Sequence, residues 1–427
     1  MKHGIRLSIV ALVCLCLVAG IAGAQDLPSA SPASVGMSAE RLERIDTVME
    51  RFIAESRIAG MVTMIARHGK LVHCEAYGKM DIEENMPMKV DALFRVASMS
   101  KLVTAVAGLI LYEEGRFLLD DPVSRYIPAF KDMRVFVPAS EGGSSSKSLT
   151  TVPAKREITV RMLFNHTSGF TYGTGEVGKQ YSKAGIGMGL TPTEGTIGDM
   201  VAKLAKQPLL FHPGDRWEYG LSNDVLGYFI EIVSGMRLDA FCRERIFEPL
   251  EMNDSGFYFP DYRQDDIATL YRRNRDGEIK RIPPEGLLGP KTDYFSGGAG
   301  LIMSASDYLR FGQMLLYGGE LDGVRILSRT TVELMSRVSE SSPYIWEGRD
   351  GVRSTHGDQY ALGVGVRTNP DDLGSPGTYG WGGAYHTHVW IDPKEDMVGV
   401  FMSQLGGGDI RRHHREFKIL AYQAIDD

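Results

Sequence analysis

The stretch that decides the fold reads Phe94-Arg95-Val96-Ala97-Ser98-Met99-Ser100-Lys101 and runs into an apolar segment, residues 102–111. The lead-in is typical of a short strand, and the segment, apolar on nearly every side, predicts a helix that is buried all round. If that helix begins at or just before Ser98, Lys101 lies one turn further on and faces it. Because a serine needs a neighbouring base to become a nucleophile, Ser98 and Lys101 are the candidate nucleophile and base.

The same Ser-x-x-Lys spacing occurs at Ser144 and Lys147, so the spacing alone does not identify the pair. That second pair lies in a polar, glycine- and serine-rich loop with no apolar run to bury. At Lys101, by contrast, burial and the positive end of the helix dipole disfavour the ammonium form and predict an amine that can accept a proton. The alternative for Ser98, a serine that caps a core helix, stays open on this context alone.

The composition is that of an ordinary globular protein, with 427 residues, 43% of them hydrophobic, and 47 basic against 54 acidic side chains. This balance gives no indication of nucleic-acid binding. Residues 1–24 combine two basic residues, an apolar run and Ala22-Gly23-Ala24, which predicts a cleaved signal peptide that is too short for a membrane span. We therefore expect an exported protein, periplasmic or secreted, in which Cys74 and Cys242 remain as unpaired buried thiols.

The order of the elements divides the chain into three parts. Ser38 can cap an amphipathic helix, and residues 61–67 and 71–77 read as a β-hairpin, followed by a third strand near residues 93–96. From Ser98 to about residue 290 the pattern indicates helices and loops. Two paired strands, the first in the stretch of residues 379–393 with glycines at its head and the second over residues 397–402, and an amphipathic helix over residues 413–427 then complete the chain.

Three further residues in the middle of the chain need an interpretation. Tyr219 lies on the loop that leads into a helix from residue 225, where either a working group or a packing residue could stand. Ser222 narrowly misses the Gly-x-Ser-x-Gly elbow of α/β-hydrolases, since Asp224 replaces the last glycine, and it reads better as a helix cap. His166 is interpreted as a structural, hydrogen-bonding residue.

Two sequence patterns suggest a metal site and a phosphate-binding loop, but each lacks residues that such a site needs. His386 and His388 share a strand face, but no carboxylate or cysteine lies nearby in the sequence to complete a metal site. Residues 296–300 are rich in glycine but lack the Lys-Ser/Thr ending of a phosphate-binding loop. We therefore expect neither a metal nor another cofactor.

Taken together, Ser98-x-x-Lys101, Trp217-Glu218-Tyr219 and Trp381-Gly382-Gly383 resemble the three ordered motifs of the serine β-lactamase and penicillin-binding family. The resemblance is closest to the class C-like branch, which includes exported carboxylesterases. It covers most of the chain, from about residue 36 to the last helix. His166-Thr167-Ser168-Gly169 also matches a sequence pattern of the family.

The resemblance implies an α/β (α+β) fold in one hydrolase domain over residues 25–427. An antiparallel sheet flanked by helices, from about residues 36–97 and 290–427, would pack against an all-helical part from about residues 98–289. It also implies an acyl-enzyme on Ser98, with Lys101 and Tyr219 shuttling the proton. The oxyanion hole would consist of the backbone N–H groups of Ser98 and Ala384.

Two departures from the family pattern bear on the substrate. The second motif reads Tyr219-Gly220-Leu221 where β-lactam-hydrolysing members have Tyr-x-Asn, and Trp381-Gly382-Gly383 replaces Lys-Thr-Gly. The lysine that would face a β-lactam carboxylate is therefore missing, and the resemblance implies that Trp381, Gly382 and Gly383 bind a small-molecule ester. A β-lactamase or D-alanyl carboxypeptidase is the alternative, followed by an acyltransferase or a binding protein without turnover.

Overall fold

The structure, a computed structural model, describes residues 27–138, 149–173, 175–190, 194–274, 276–283, 293–339, 342–343, 358–369, 373–407 and 412–427. The predicted signal peptide and the Ser144 and Lys147 pair lie outside these residues. Within them, no helix combines the length and the apolar character needed to cross a membrane.

An eight-stranded antiparallel sheet, the central sheet, takes its strands from both ends of the chain. In spatial order its strands are Gln359–Tyr360, Gly365–Val366, Tyr379–Gly383, Thr387–Asp392, Met397–Ser403, Gly60–Arg67, Lys70–Asp81 and Met86–Pro87. The two chain ends meet where Met61 pairs with Ser403 and Arg67 pairs with Met397. The predicted hairpin and the predicted antiparallel sheet are therefore confirmed. The stretch 379–393, expected to hold one strand, instead forms two antiparallel strands joined by a turn.

Helices cover both faces of the central sheet. The described helices are, in chain order, Ala39–Ala54, Ser100–Glu113, Val160–Phe164, Gly175–Lys183, Ile197–Leu204, Ser222–Ser234, Leu238–Cys242, Ala305–Leu316, Arg329–Ser336 and Arg412–Gln423. Because side chains alternate along a strand, Met61 and Ile65 pack with the first and last helices through Phe52 and Phe417. Val62 and its alternate neighbours belong to the larger core on the opposite face, where helix Ala305–Leu316 lies.

The helix Ser100–Glu113, called the Lys101 helix below, runs through the larger core. Every residue from Ser100 to Leu111 is buried, which confirms the expected helix without an exposed face. It packs against helix Ser222–Ser234. Gly108 lets the Phe164 ring of helix Val160–Phe164 approach, because an added Cβ would lie 2.7 Å from that ring. The base of the candidate pair therefore stands on a rigid, fully packed element.

Among the described residues, short strands form four small sheets outside the central sheet, and the first two join the two parts of the molecule. They are Leu93–Arg95 with Ile302–Ser304 and Ser255–Gly256, Tyr271–Arg273 with Ile279–Arg281 and Leu405–Gly406, Arg134–Phe136 with Thr151–Pro153, and Glu320–Leu321 with Val324–Arg325. The predicted third strand thus pairs outside the central sheet. The part expected to be all-helical also contains strands. The sequence did not predict them, because strands of two or three residues are too short to show an alternating pattern. Cys242 is a buried thiol, whereas Cys74 is only partly buried.

Candidate active site

Ser98 lies in a sharp turn between the strand Leu93–Arg95 and the Lys101 helix. The turn is a single 3₁₀ segment, Ala97–Met99, and Ala97 has a left-handed φ of 46°, which is unfavourable for a residue with a Cβ. Ser98 is partly exposed although its neighbours on both sides are buried. Such strain in the backbone is common at working sites, and here it presents the serine hydroxyl at the head of the helix.

The amine of Lys101 has three oxygen atoms within hydrogen-bond distance. Its Nζ lies 3.2 Å from Ser98 Oγ, 3.0 Å from the Tyr172 hydroxyl and 2.7 Å from the Gly298 carbonyl oxygen. Because a carbonyl can only accept, one N–H of the amine is committed to Gly298. In a neutral amine, one N–H and the lone pair then remain for the two hydroxyls, so the lone pair can take the Ser98 proton.

Tyr172 occupies the position that the motif order predicts for Tyr219. The hydroxyl bonded to Lys101 belongs to Tyr172, and burial, followed by the neighbouring Tyr219, raises the pKa of Tyr172 well above its ordinary value. Tyr172 therefore keeps its proton at neutral pH. The only signal for it in the sequence is its place three residues after the His166-Thr167-Ser168-Gly169 match.

Tyr219 is part of the site, but its hydroxyl has another partner. The indole Nε1–H of Trp381 donates to the Tyr219 hydroxyl, with 2.9 Å between the nitrogen and oxygen atoms. The Tyr219 ring covers Lys101, whose Nζ is 4.6 Å from the ring centroid. The structure therefore brings Ser98, Lys101, Tyr219 and Trp381 together around one point.

An aromatic wall lies behind these groups. Trp381 meets Tyr360 edge to face at 5.0 Å between ring centroids, and Tyr219 stacks on Trp217 at 5.8 Å. Such pairs hold large apolar side chains in defined positions. The wall offers apolar area to a bound molecule, with the Trp381 N–H already used by Tyr219.

His166 supports the wall from within the core. It is completely buried and its ring lies 4.9 Å from that of Tyr219. Burial, with nearby Lys101 as the next cause, lowers the pKa of His166 well below its ordinary value. Its backbone carbonyl accepts a hydrogen bond from Glu218 N at 2.9 Å and so fixes the loop that carries Tyr219. The burial agrees with a structural role, but the expected side-chain hydrogen bond is not found, since neither ring nitrogen has a hydrogen-bond partner among the described residues.

Gly383 brings the end of strand Tyr379–Gly383 against the nucleophile turn. A Cβ at Gly383 would lie 2.3 Å from the Val96 carbonyl oxygen, so only glycine permits this approach. The same oxygen accepts a hydrogen bond from Thr387 Oγ1 at 3.1 Å. Ala384, partly exposed, directly follows Gly383. The use of the Ser98 and Ala384 N–H groups as an oxyanion hole remains a prediction.

Asp224 holds the loop whose carbonyl binds Lys101. It is completely buried, and its Oδ1 accepts from Ser296 Oγ at 2.5 Å and from Gly298 N at 3.4 Å. Burial raises the pKa of Asp224, although the Ser296 hydrogen bond and then Lys101 oppose this effect. The interpretation of Ser222 as a helix cap is wrong, because its Oγ lies 2.8 Å from Ser168 Oγ and caps no N–H group.

The expectation that His386 and His388 share a strand face is wrong, because His386 lies in the turn before strand Thr387–Asp392. His386 stands in a turn with a φ of 60°, and its Nδ1 is 3.1 Å from Nδ1 of His413. His388 lies on the next strand and stacks on His414 at 4.1 Å between ring centroids. Nowhere in the described ranges do three His, Cys, Asp or Glu side chains come together in an arrangement that could hold a metal ion.

The chain is similar over most of its length to several known proteins. Esterase EstB from Burkholderia gladioli is 31% identical, over 88% of this chain and 93% of its own length. Lovastatin esterase from Penicillium rubens is 29% identical, over 83% of this chain and 91% of its own. The solved structure of EstCE1, a hydrolase with promiscuous acyltransferase activity, superposes with a TM-score of 0.75 at 27% identity, covering 91% of this chain and 99% of that one. Residues 45–423 match the profile of the Beta-lactamase family, and the chain belongs to this family of hydrolases.

Proposed function

We propose that the protein is a carboxylesterase that forms an acyl-enzyme on Ser98. The observation that carries this proposal is the 3.2 Å hydrogen bond between Lys101 Nζ and Ser98 Oγ, made at a buried amine whose other contacts are fixed. Two relatives that align over most of the chain are named esterases, which supports the choice of an ester as the substrate.

In the first step, the Ser98 hydroxyl passes its proton to the lone pair of Lys101 while its oxygen attacks the ester carbonyl carbon. The carbonyl π electrons move to the oxygen and give a tetrahedral oxyanion. The N–H groups of Ser98 and Ala384 would bind that oxyanion, and each such donor typically stabilises the transition state by about 3 kcal/mol. No metal or cofactor is required by this step.

In the second step, the tetrahedral intermediate collapses and the bond to the leaving alcohol breaks. The leaving oxygen takes the proton from Lys101, directly or through the Tyr172 hydroxyl, which is 3.0 Å from the amine. Water then attacks the acyl-enzyme by the reverse sequence, and the acid and free Ser98 are regenerated. Tyr219 covers the amine during both steps and keeps bulk water away from it.

The wall formed by Trp381 and Tyr360 favours esters over β-lactams. A β-lactam presents a carboxylate, which a lysine at the position of Trp381 would bind by a charge-assisted hydrogen bond worth about 1.5–3 kcal/mol. Trp381 cannot replace that cation, and its only N–H is bonded to Tyr219. It offers apolar area instead, worth up to about 0.8 kcal/mol for each methylene that an acyl chain buries.

The test uses active-site labelling together with turnover of p-nitrophenyl esters and a chromogenic cephalosporin. A fluorophosphonate should leave its adduct on Ser98, and Ser98→Ala should abolish ester turnover. Lys101→Ala should lower turnover by several orders of magnitude, and the double variant should lose no more than Ser98→Ala alone, because nucleophile and base act as a unit. Ser144→Ala, which alters the second Ser-x-x-Lys pair, is the matched control and should leave turnover unchanged.

Two results would contradict the proposal. An adduct on Ser222 would move the nucleophile to the Gly-x-Ser segment. A cephalosporin opened faster than the best ester would support the alternative, a β-lactamase or D-alanyl carboxypeptidase. Transfer of the acyl group to an added alcohol, measured as the ratio of new ester to free acid, distinguishes an esterase from an acyltransferase such as the activity named for EstCE1.

Export is a separate proposal and rests on residues 1–24. Expression of the full chain in a bacterial host, followed by fractionation and N-terminal sequencing, tests it. A mature chain that begins at Gln25 in the periplasm or medium would support it, and an uncleaved chain in the cytoplasm would contradict it.

A further inference from the structure

Arg95 stands three residues before the nucleophile, and its side chain is only partly exposed. It ends the strand Leu93–Arg95, and its Nε is buried without a hydrogen-bond partner. In the part of the chain that the structure describes, no carboxylate forms an ion pair with it. Such an Nε is uncommon, because a buried polar atom is normally hydrogen-bonded.

The backbone of Arg95 is held firmly, so the position of its side chain is not an accident of a loose loop. Arg95 N donates to Gln404 Oε1 at 3.3 Å, and Gln404 Nε2 donates to the Arg95 carbonyl at 3.1 Å. In the small sheet Arg95 pairs with Ile302. Hydrogen bonds to Gln404 and strand pairing with Ile302 therefore hold the Arg95 backbone, while no described residue supplies a counter-ion to its guanidinium.

A small cavity of about 20 Å³ opens beside Arg95, with Tyr385 and Ala299 among its lining residues. Since one water molecule needs about 10–15 Å³ of such space, the cavity accepts a small polar group and not a whole ligand. Tyr385 directly follows Ala384, the predicted oxyanion-hole residue, and Ala299 directly follows Gly298, which binds Lys101. Two residues that line the cavity are therefore direct sequence neighbours of residues at the candidate active site.

The surroundings of the cavity are positively charged. Burial raises the pKa of the Tyr385 hydroxyl, and the guanidinium groups of Arg95 and then Arg272 oppose this shift. Burial also lowers the pKa of Arg95, as expected for a cation without an anion beside it. Because the planar guanidinium matches the two oxygens of a carboxylate, the chemistry that completes this site is a carboxylate.

We propose that Arg95 binds a carboxylate group of the substrate, so that the preferred esters carry an apolar part at Trp381 and an anionic group at Arg95. This inference rests on the proposed esterase function, which it deepens by naming the substrate class. It assigns Arg95 the role of a specificity-determining residue that acts in binding and not in proton transfer.

The test compares esters that differ only in charge. p-Nitrophenyl 4-carboxybenzoate and its 4-carbamoyl analogue place the difference on the acyl side, and 4-acetoxybenzoate and 4-acetoxybenzamide place it on the alcohol side. In at least one pair, Arg95→Gln should lower the ratio of kcat/KM for the acid to that for the amide about ten- to a hundredfold, mainly through KM. Arg329→Gln, at an arginine whose side chain is 69% exposed, should leave both ratios unchanged.

The ratio separates recognition from stability, since an arginine that only supports the fold would lower both members of a pair equally. An equal loss, or a wild-type ratio that Arg95→Gln leaves unchanged in both pairs, overturns the proposal. Arg95→Lys keeps the charge and should restore part of the lost preference if it folds like the wild type.

A binding measurement tests the inference without turnover. Benzoate should bind the Ser98→Ala variant in a calorimetric titration, more weakly at high salt, and the additional Arg95→Gln substitution should weaken binding at least about tenfold. Binding that depends on Arg95 in a protein that hydrolyses no ester would uphold the anion site and refute the esterase. If the protein hydrolyses esters, but Arg95→Gln changes neither benzoate binding nor either ratio, the esterase proposal stands and the anion site is refuted.

Discussion

The indole Nε1–H of Trp381 donates a hydrogen bond to the Tyr219 hydroxyl, with 2.9 Å between the two atoms. This contact joins residues of the second and third sequence motifs, which are 162 positions apart. It gives Trp381 two roles, since the ring forms part of the aromatic wall while the N–H sets the orientation of a tyrosine that covers Lys101.

Substitutions at Trp381 should separate these two roles. Trp381→Phe keeps an aromatic ring beside Tyr360 but removes the N–H donor, and we expect kcat to fall about tenfold with little change in KM, as for loss of one hydrogen bond of about 1–1.5 kcal/mol. Trp381→Ala also removes the wall and should raise KM. Steady-state kinetics on a medium-chain p-nitrophenyl ester measures both. Equal kcat in wild type and Trp381→Phe would show that the indole N–H has no part in turnover.

The two tyrosines next to Lys101 should both be needed for the rate. Tyr172→Phe removes one of the three oxygens around the amine, and Tyr219→Phe removes the acceptor of the Trp381 N–H. We expect each variant to lose about a hundredfold or more in kcat, in the range of general acid–base catalysis, with KM nearly constant. The double variant should lose much less than the product of the two losses, because the groups act as a unit.

Unchanged turnover would remove the tested tyrosine from the proton path. Thermal unfolding of each variant is the control, since neither hydroxyl is required for the ring packing of the wall. Tyr126→Phe, which removes a hydroxyl bonded to Asp121 outside the three motifs, should leave kcat at the wild-type value.

Gly383→Ala should damage the site through the backbone. The added Cβ would lie 2.3 Å from the Val96 carbonyl oxygen and would push the strand end away from the turn that carries Ser98. Because this shift moves Ser98 relative to the strand end and disturbs the packing, we expect a large loss of kcat and a lower melting temperature. Gly256→Ala is the matched control, because its added Cβ meets no atom closer than 3.6 Å. Full activity in Gly383→Ala would mean that the nucleophile turn tolerates the displacement.

The sequence could predict those parts of the site that depend on local geometry. Ser98 and Lys101 are separated by one helical turn, and the apolar residues after them fix that helix in the core. The hairpin of Gly60–Arg67 and Lys70–Asp81 is likewise local. In each case the spacing along the chain determines the distance in space, so the pattern is sufficient.

Other contacts form only in the tertiary fold and cannot be predicted from the sequence pattern. Tyr172 and Gly298, which complete the surroundings of the Lys101 amine, are 71 and 197 positions away from it. Tyr172 stands in a loop without periodicity, and the Gly298 contact uses a backbone carbonyl that any residue type could offer. In the sequence, Arg95 is an ordinary strand residue. Only the structure shows that its Nε has no partner among the described residues.

The last prediction concerns the dependence of stability on pH, and it rests on His73. This histidine is buried in the central sheet, with Nε2 2.7 Å from Thr63 Oγ1, and burial, opposed by Asp46, lowers its pKa to about 4. In the unfolded chain a histidine titrates near pH 6.5, about 2.5 units higher. Between these two values the unfolded state binds a proton that the native state does not, so the stability that neutral His73 contributes is lost as the pH falls from about 6.5 to 4.

Each proton taken up only by the unfolded state changes the free energy of unfolding by up to about 1.4 kcal/mol per pH unit. His73→Gln keeps an amide that can bond to Thr63 but removes the titrating ring, so its free energy of unfolding should depend on pH less steeply than that of the wild type, by up to one proton. Urea unfolding at several values between pH 4 and 7 measures the two slopes. His166, also buried with a lowered pKa, remains in the variant, which should therefore retain part of the acid sensitivity. Identical slopes would show that His73 is protonated in the folded protein, and hence that solvent reaches its ring despite the packing of the sheet.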